Sequence, residues 1–177
     1  MTKRKSLEQA AGIRLTQRDQ EVVRLICEQG AVAAQDLDRF MSNQPSAAPI
    51  SQRTRNGVLL RLKDAGLIVA EQWSYRGSAA LYATRLGARW VDWSGRIIPP
   101  GFAVLRHELT ASAVRIASYP KEFGWGFASE RFIQQRRIEY GHHRPDGIAI
   151  LGARRTAVEV QLSVTDQPHI TAVLHNH

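Results

Sequence analysis

The stretch from Ser51 to Arg89 reads SQRTRNGVLLRLKDAGLIVAEQWSYRGSAALYATRLGAR and constrains the fold more than any other part of the chain. Ser51 is a good N-cap, because its hydroxyl can accept from an amide that the first helical turn leaves unpaired. Val58, Leu59 and Leu62 recur at helical spacing and predict a buried stripe. Gly66 stands where a left-handed C-terminal cap is expected, so the helix should stop near Ala65. Leu67 to Trp73 and Ala79 to Ala83 read as strands around Ser74-Tyr75-Arg76-Gly77-Ser78, a turn rich in turn-forming residue types. Thr84 then caps a further short helix. A helix, a hairpin and a helix start follow one another within 39 residues.

Upstream, Met1 to Arg14 is polar and basic and is expected to be a flexible arm. Thr16 with Asp19 has the form of a capping box, Asp replacing the usual Glu, and opens a helix to about Glu28. Val22, Val23 and Ile26 form its inward stripe, and Gly30 ends it. Ala34 to Met41 reads as a second helix with Leu37 and Phe40 facing inward. Asn43 to Pro49 (NQPSAAP) is a loop by composition. The helix after Ser51 is therefore third, the recognition position of a winged helix-turn-helix.

Charge points to the kind of partner. The 177 residues carry a formal charge of +8, and the pI is near 10.4, which favours a polyanion. Of 24 cationic residues only Lys3, Lys5, Lys63 and Lys121 are lysine, so 20 are arginine. Arginine's planar fork suits phosphates and guanine edges. With Cys27 as the single cysteine there is no disulfide framework and no cysteine-based zinc site. The apolar runs are short and broken by charge, so neither a signal peptide nor a membrane span is expected, and the expected setting is cytoplasmic.

On a helix whose inner side is Val58, Leu59 and Leu62, Gln52, Arg53 and Asn56 face outward in the first turns, beside the Ser51 cap. Arg can bond both acceptors of a guanine edge, and Asn or Gln can do the same for adenine. Arg55, Arg61 and Lys63 are expected at phosphates, which fix register and affinity. Arg76, at the tip of the hairpin, is expected to enter a minor groove or to pair with a phosphate.

Ser94 to Gly101 (SGRIIPPG) cannot continue a helix and reads as a linker. Beyond it, Ala103 to Tyr119 has a helical pattern, and Trp125 to Ile133, Gly147 to Leu151 and Thr156 to Leu162 read as strands. Pro168 favours the start of one more helix. A turn centred on Ala153-Arg154 pairs Asp146 with Gln161 and Ile148 with Glu159, placing Asp146, Glu159 and Gln161 on one sheet face. Two carboxylates converging there are hard oxygen ligands for a divalent cation, which can activate water for phosphodiester hydrolysis. His107 reads as a satisfied helix histidine rather than a residue backing a site, and His142 and His143 as solvated loop residues rather than contacts to DNA or metal. The terminal His175-Asn176-His177 is not an HNH nuclease motif, and Cys27 is expected to be a small core residue.

Arg144-Pro145-Asp146-Gly147 followed by Glu159-Val160-Gln161, after a helix carrying Glu108, resembles the PD-(D/E)xK nuclease core. The resemblance implies Glu108, Asp146 and Glu159 as metal ligands and Asp146, Glu159 and Gln161 as the catalytic group. Gln161 stands where lysine is usual, and a neutral amide can position water but cannot supply the positive charge. From Leu15 to Thr165 the chain resembles the plasmid replication-relaxation family of actinobacterial mobile elements. The matching pieces are LTQRD, SQRTRNGVLLRLKDAGLI, LYATRLGARWV, HELTASAVR, Trp125 with Glu130, RPDG and AVEVQ.

The expected fold is α/β (α+β): a flexible arm over residues 1–14, a winged helix-turn-helix over 15–95 and a small PD-(D/E)xK-like αβββα domain over 96–177. That last core normally continues through another helix, so it is expected to be cut short or completed by a second copy. The expected function is binding of double-stranded DNA in the replication, transfer or transcriptional control of a plasmid or mobile element, with a degenerate nuclease-like domain. No cofactor is expected for DNA binding, and Mg²⁺ is expected only if the nuclease-like site works. A homodimer is the expected protein partner, with no small-molecule substrate. The alternatives are a Mg²⁺-dependent endonuclease targeted by the winged helix, and a winged helix that assembles with other proteins.

Overall fold

The chain is described by a computed structural model over residues 14–42, 50–72, 79–118, 125–137 and 144–162. The hairpin tip with Arg76, the 43–49 loop, the arm up to Ile13, His142, His143 and everything from residue 163 onward lie outside the described residues.

Helix α1 (Gln17–Gln29) starts because Thr16 and Asp19 form the full capping box. The Asp19 amide donates to Thr16 Oγ1 (3.2 Å) and the Thr16 amide donates to Asp19 Oδ2 (2.7 Å). Val22, Val23, Leu25 and Ile26 of this helix are at most 2% exposed. A two-residue strand β1 (Val32–Ala33) follows, then α2 (Asp36–Ser42), which buries Leu37, Phe40 and Met41. Helix α3 (Gln52–Asp64) is capped by Ser51, whose Oγ accepts from the Thr54 amide, and it buries Val58 and Leu62. Leu59 packs from a half-buried position.

Gly66, at φ +67°, reverses the chain after α3, a conformation that costs a residue without Cβ least. Strands β2 (Ile68–Gln72) and β3 (Ala79–Ala83) pair antiparallel, and β1 pairs antiparallel with the other edge of β3. The sheet order is thus β1-β3-β2. Thr84 caps α4 (Arg85–Trp90), and Gly87 there lies so close to the Leu67 carbonyl that a Cβ would collide with it.

The second half does not stand apart. Helix α5 (Phe102–Ser118) packs Leu105 and Leu109 against Ala31, Ala33, Ala80 and Tyr82, and Ile116 joins the main core. A second antiparallel sheet, ordered β4-β5-β6, is built from β4 (Trp125–Ser129), β5 (Gly147–Leu151) and β6 (Arg154–Val158). The fold is therefore mixed α/β with two small antiparallel sheets.

Three features differ from the sequence expectation. Strand β1 was not anticipated, because two residues give no periodicity and their pairing partners lie about 50 positions away. The strand expected over Trp125–Ile133 ends at Ser129, which instead caps a short helix α6 (Glu130–Gln135) by accepting from the Phe132 amide at 3.3 Å. The β5-β6 register pairs Gly147 with Val158 and Leu151 with Arg154, two residues away from the expected one. Gly152 at φ +58° allows a two-residue turn, so β6 begins early and is finished before Glu159 and Gln161.

One interaction ties α3 to α1. Arg61 grips Asp19 with both sides of its fork, Nη2 to Oδ1 at 2.6 Å and Nε to Oδ2 at 3.1 Å. Asp19 is fully buried, so removing its carboxylate takes away the cap and leaves a half-buried guanidinium unmatched. Asp19→Ala is expected to cost about 3 kcal/mol in urea unfolding, the range for breaking a buried pair. A loss near the ~0.5 kcal/mol of a surface pair would contradict this.

Candidate nucleic-acid interface

The inner side of α3 fixes what its outer side offers. With Val58 and Leu62 in the core, Arg53, Asn56, Leu60 and Lys63 fall at steps of three and four on the opposite face, and all four are exposed. Ser51 and Gln52 are exposed at the helix start. This face therefore presents two cations, a forked amide and an apolar side chain along one stripe.

Two of the cations expected at phosphates are engaged inside the protein. Arg55 is only 13% exposed and donates through Nη1 to Asp38 Oδ2 of α2 at 2.6 Å. Its Nε also donates to Asn56 Oδ1 at 3.3 Å, steadying the neighbouring amide. Arg61 is the partner of Asp19. Sequence reading missed both assignments because the acids come from other helices. The aspartates at positions 19 and 38 were the available signal, one as a cap and one on a helix expected to pack nearby.

Among the described acidic residues of the second half, Asp146 and Glu108 have different partners. Asp146 Oδ2 accepts from the Val160 amide at 2.7 Å and lies 3.3 Å from His107 Nε2. That same Nε2 is 3.1 Å from the Val160 carbonyl oxygen, so a proton on it serves two acceptors. Glu108 instead faces Arg131 at 3.4 Å. Glu159 is half-buried and Gln161 exposed, both beyond the end of β6. Among the described residues no three His, Cys, Asp or Glu side chains are grouped to hold a metal ion. Asp146 latches the segment after β6 onto α5.

Charge and burial shape these groups in different ways. The hydrogen bond to Asp146 raises the His107 pKa above its ordinary value, against an opposing effect of burial. Burial pushes the Glu108 carboxyl up, and Arg131 opposes it. The Cys27 thiol is pushed up to about 12, mainly by burial, so it stays protonated and unreactive.

The two halves meet through polar contacts as well. Arg115 of α5 donates to Glu28 of α1 at 2.7 Å and lies over the Phe127 ring, 5.3 Å from its centroid. Ser129 donates to the Glu28 carbonyl at 2.6 Å. No helix among the described residues is long and apolar enough to cross a membrane. No family model, curated protein or solved structure matches this chain.

The latch has a pH signature. A histidine whose folded pKa is raised adds stability that is fully present below the unfolded value of about 6.5 and is lost as pH rises through the folded pKa. The melting-temperature gap between wild type and His107→Gln should therefore be widest near pH ~5.5 and shrink by pH ~9. A gap independent of pH would mean that the His107–Asp146 contact carries no net charge attraction.

Proposed function

We propose that this chain binds double-stranded DNA through the outer face of α3, and that it serves the replication, transfer or transcriptional control of a plasmid or other mobile element. The observation that carries the reading is the exposed stripe of Arg53, Asn56 and Lys63, with Gln52 beside it, on the third helix. The order α1-β1-α2-α3-β2-β3 with sheet order β1-β3-β2 agrees with a winged helix, in which the third helix enters a major groove. The net charge of +8 supports a polyanionic partner.

In this reading Gln52, Arg53 and Asn56 meet base edges, and Lys63 meets a phosphate. Arg55 and Arg61 contribute by holding α3 at its angle. The second half acts as a support and as a surface for a second copy, which would set two half-sites about one helical turn apart. The hydrogen bonds that Asp146 makes to Val160 and His107 favour this role over a cutting centre.

The test is binding of a labelled duplex at several salt concentrations, with and without Mg²⁺, read in parallel on denaturing gels. Binding should weaken steeply with salt and leave the DNA intact. Arg53→Ala should cost about 1–3 kcal/mol and relax sequence preference, whereas Lys63→Ala should weaken all duplexes alike and lower the salt slope by about 1. Mg²⁺-dependent strand breaks lost in Asp146→Ala would establish an endonuclease instead. No binding at low salt, in wild type as in both variants, would leave assembly with another protein.

A further inference from the structure

Gly57 lies in the middle of α3, where glycine is a poorer helix former than alanine. Two other glycines of this fold, Gly87 and Gly147, answer to a neighbour. A Cβ at Gly87 would run into the Leu67 carbonyl, and one at Gly147 into the Phe127 ring. Among the described residues, a Cβ at Gly57 would meet nothing within 4 Å, and no positive φ requires glycine there. Packing among the described residues thus gives no reason for the missing side chain.

The surroundings supply one. Gly57 is exposed, four residues after Arg53 and three before Leu60, so it shares its side of the helix with both. Leu60 is 61% exposed beside this bare stretch of backbone. Asn56 adjoins it, and Arg53 and Lys63 supply positive charge at either end of the stripe.

We infer that Gly57 is the point of closest approach between α3 and duplex DNA: the groove edge lies against bare helix backbone, with Leu60 against the apolar part of that edge. A close approach of backbone to ligand is a place where glycine is used despite its cost to the helix. The thymine methyl is the apolar group that a major groove offers to such a leucine. The inference rests on the proposed DNA binding and names the residue that sets how deep the helix can sit.

The experiment sets stability against binding in Gly57→Ala and Gly57→Leu. The probe is a 30-base-pair duplex pool with a randomised centre, before and after enrichment on the wild-type protein. Alanine should raise Tm by about 2–4 °C, because it favours the helix and clashes with nothing. The same substitution should weaken binding to the enriched duplexes at least tenfold, and leucine should weaken it further. Equal binding by wild type and Gly57→Ala would overturn the inference and leave DNA binding standing. A lowered Tm in Gly57→Ala would overturn it too, since glycine would then serve the fold. Failure of the wild type to bind the pool or to enrich any duplex would overturn the proposed function, and this inference with it.

Discussion

Asp19 belongs to two structures at once. Its backbone and carboxylate close the first turn of α1, and the same carboxylate receives the fork of Arg61 from α3. A carboxylate with no exposure to water is costly unless its acceptor sites are filled. Here Oδ2 takes the Thr16 amide, the Thr16 hydroxyl and Arg61 Nε, while Oδ1 takes Arg61 Nη2. Moving α3 would strand that charge, so the helix is held at one angle, and a second ion pair from Arg55 to Asp38 fixes it against α2. The orientation of the outer stripe follows from these inner contacts.

The second half is mounted on the first by a similar economy. Glu28, at the end of α1, accepts from Arg115 with its side chain and from Ser129 with its carbonyl, so one residue anchors α5 and the start of α6. Arg131 of α6 packs its guanidinium over Gly30, which has no side chain to displace it, and also faces Glu108. Apolar contacts from Leu105 and Leu109 to β1 and β3 cover the sheet from the other side. The Ser94 to Gly101 segment breaks the helical pattern, yet it leads into a helix that completes the first core.

Local chemistry was legible in the sequence. Thr16 with Asp19, Ser51 and Thr84 each satisfy amides within three residues of themselves, so a cap can be read without knowing the fold. Gly66 was legible for the same reason. What could not be read depends on distant partners. Strand β1 exists only because β3 lies beside it, and the Arg61–Asp19 contact spans 42 residues. The β5-β6 register turned on a single positive φ at Gly152, which moved Glu159 and Gln161 off the ladder. His107 and Asp146 meet across the fold, and neither residue's neighbours in sequence announce the other.

A basic composition is an argument about the whole molecule, and its force depends on where the charge ends up. Arg55, Arg61, Arg115 and Arg131 all sit in ion pairs with acids of other elements. Their guanidinium groups raise the arginine count while presenting little free charge to a partner. What α3 offers outward is smaller and more ordered: Arg53 and Lys63 separated by an amide, a bare backbone and a leucine. Phosphates would be satisfied by the cations alone, wherever they were placed. The amide, the gap and the apolar side chain between them are features that a uniform polyanion does not require. That excess of detail over charge is the physical reason to expect this face to read a surface of particular shape.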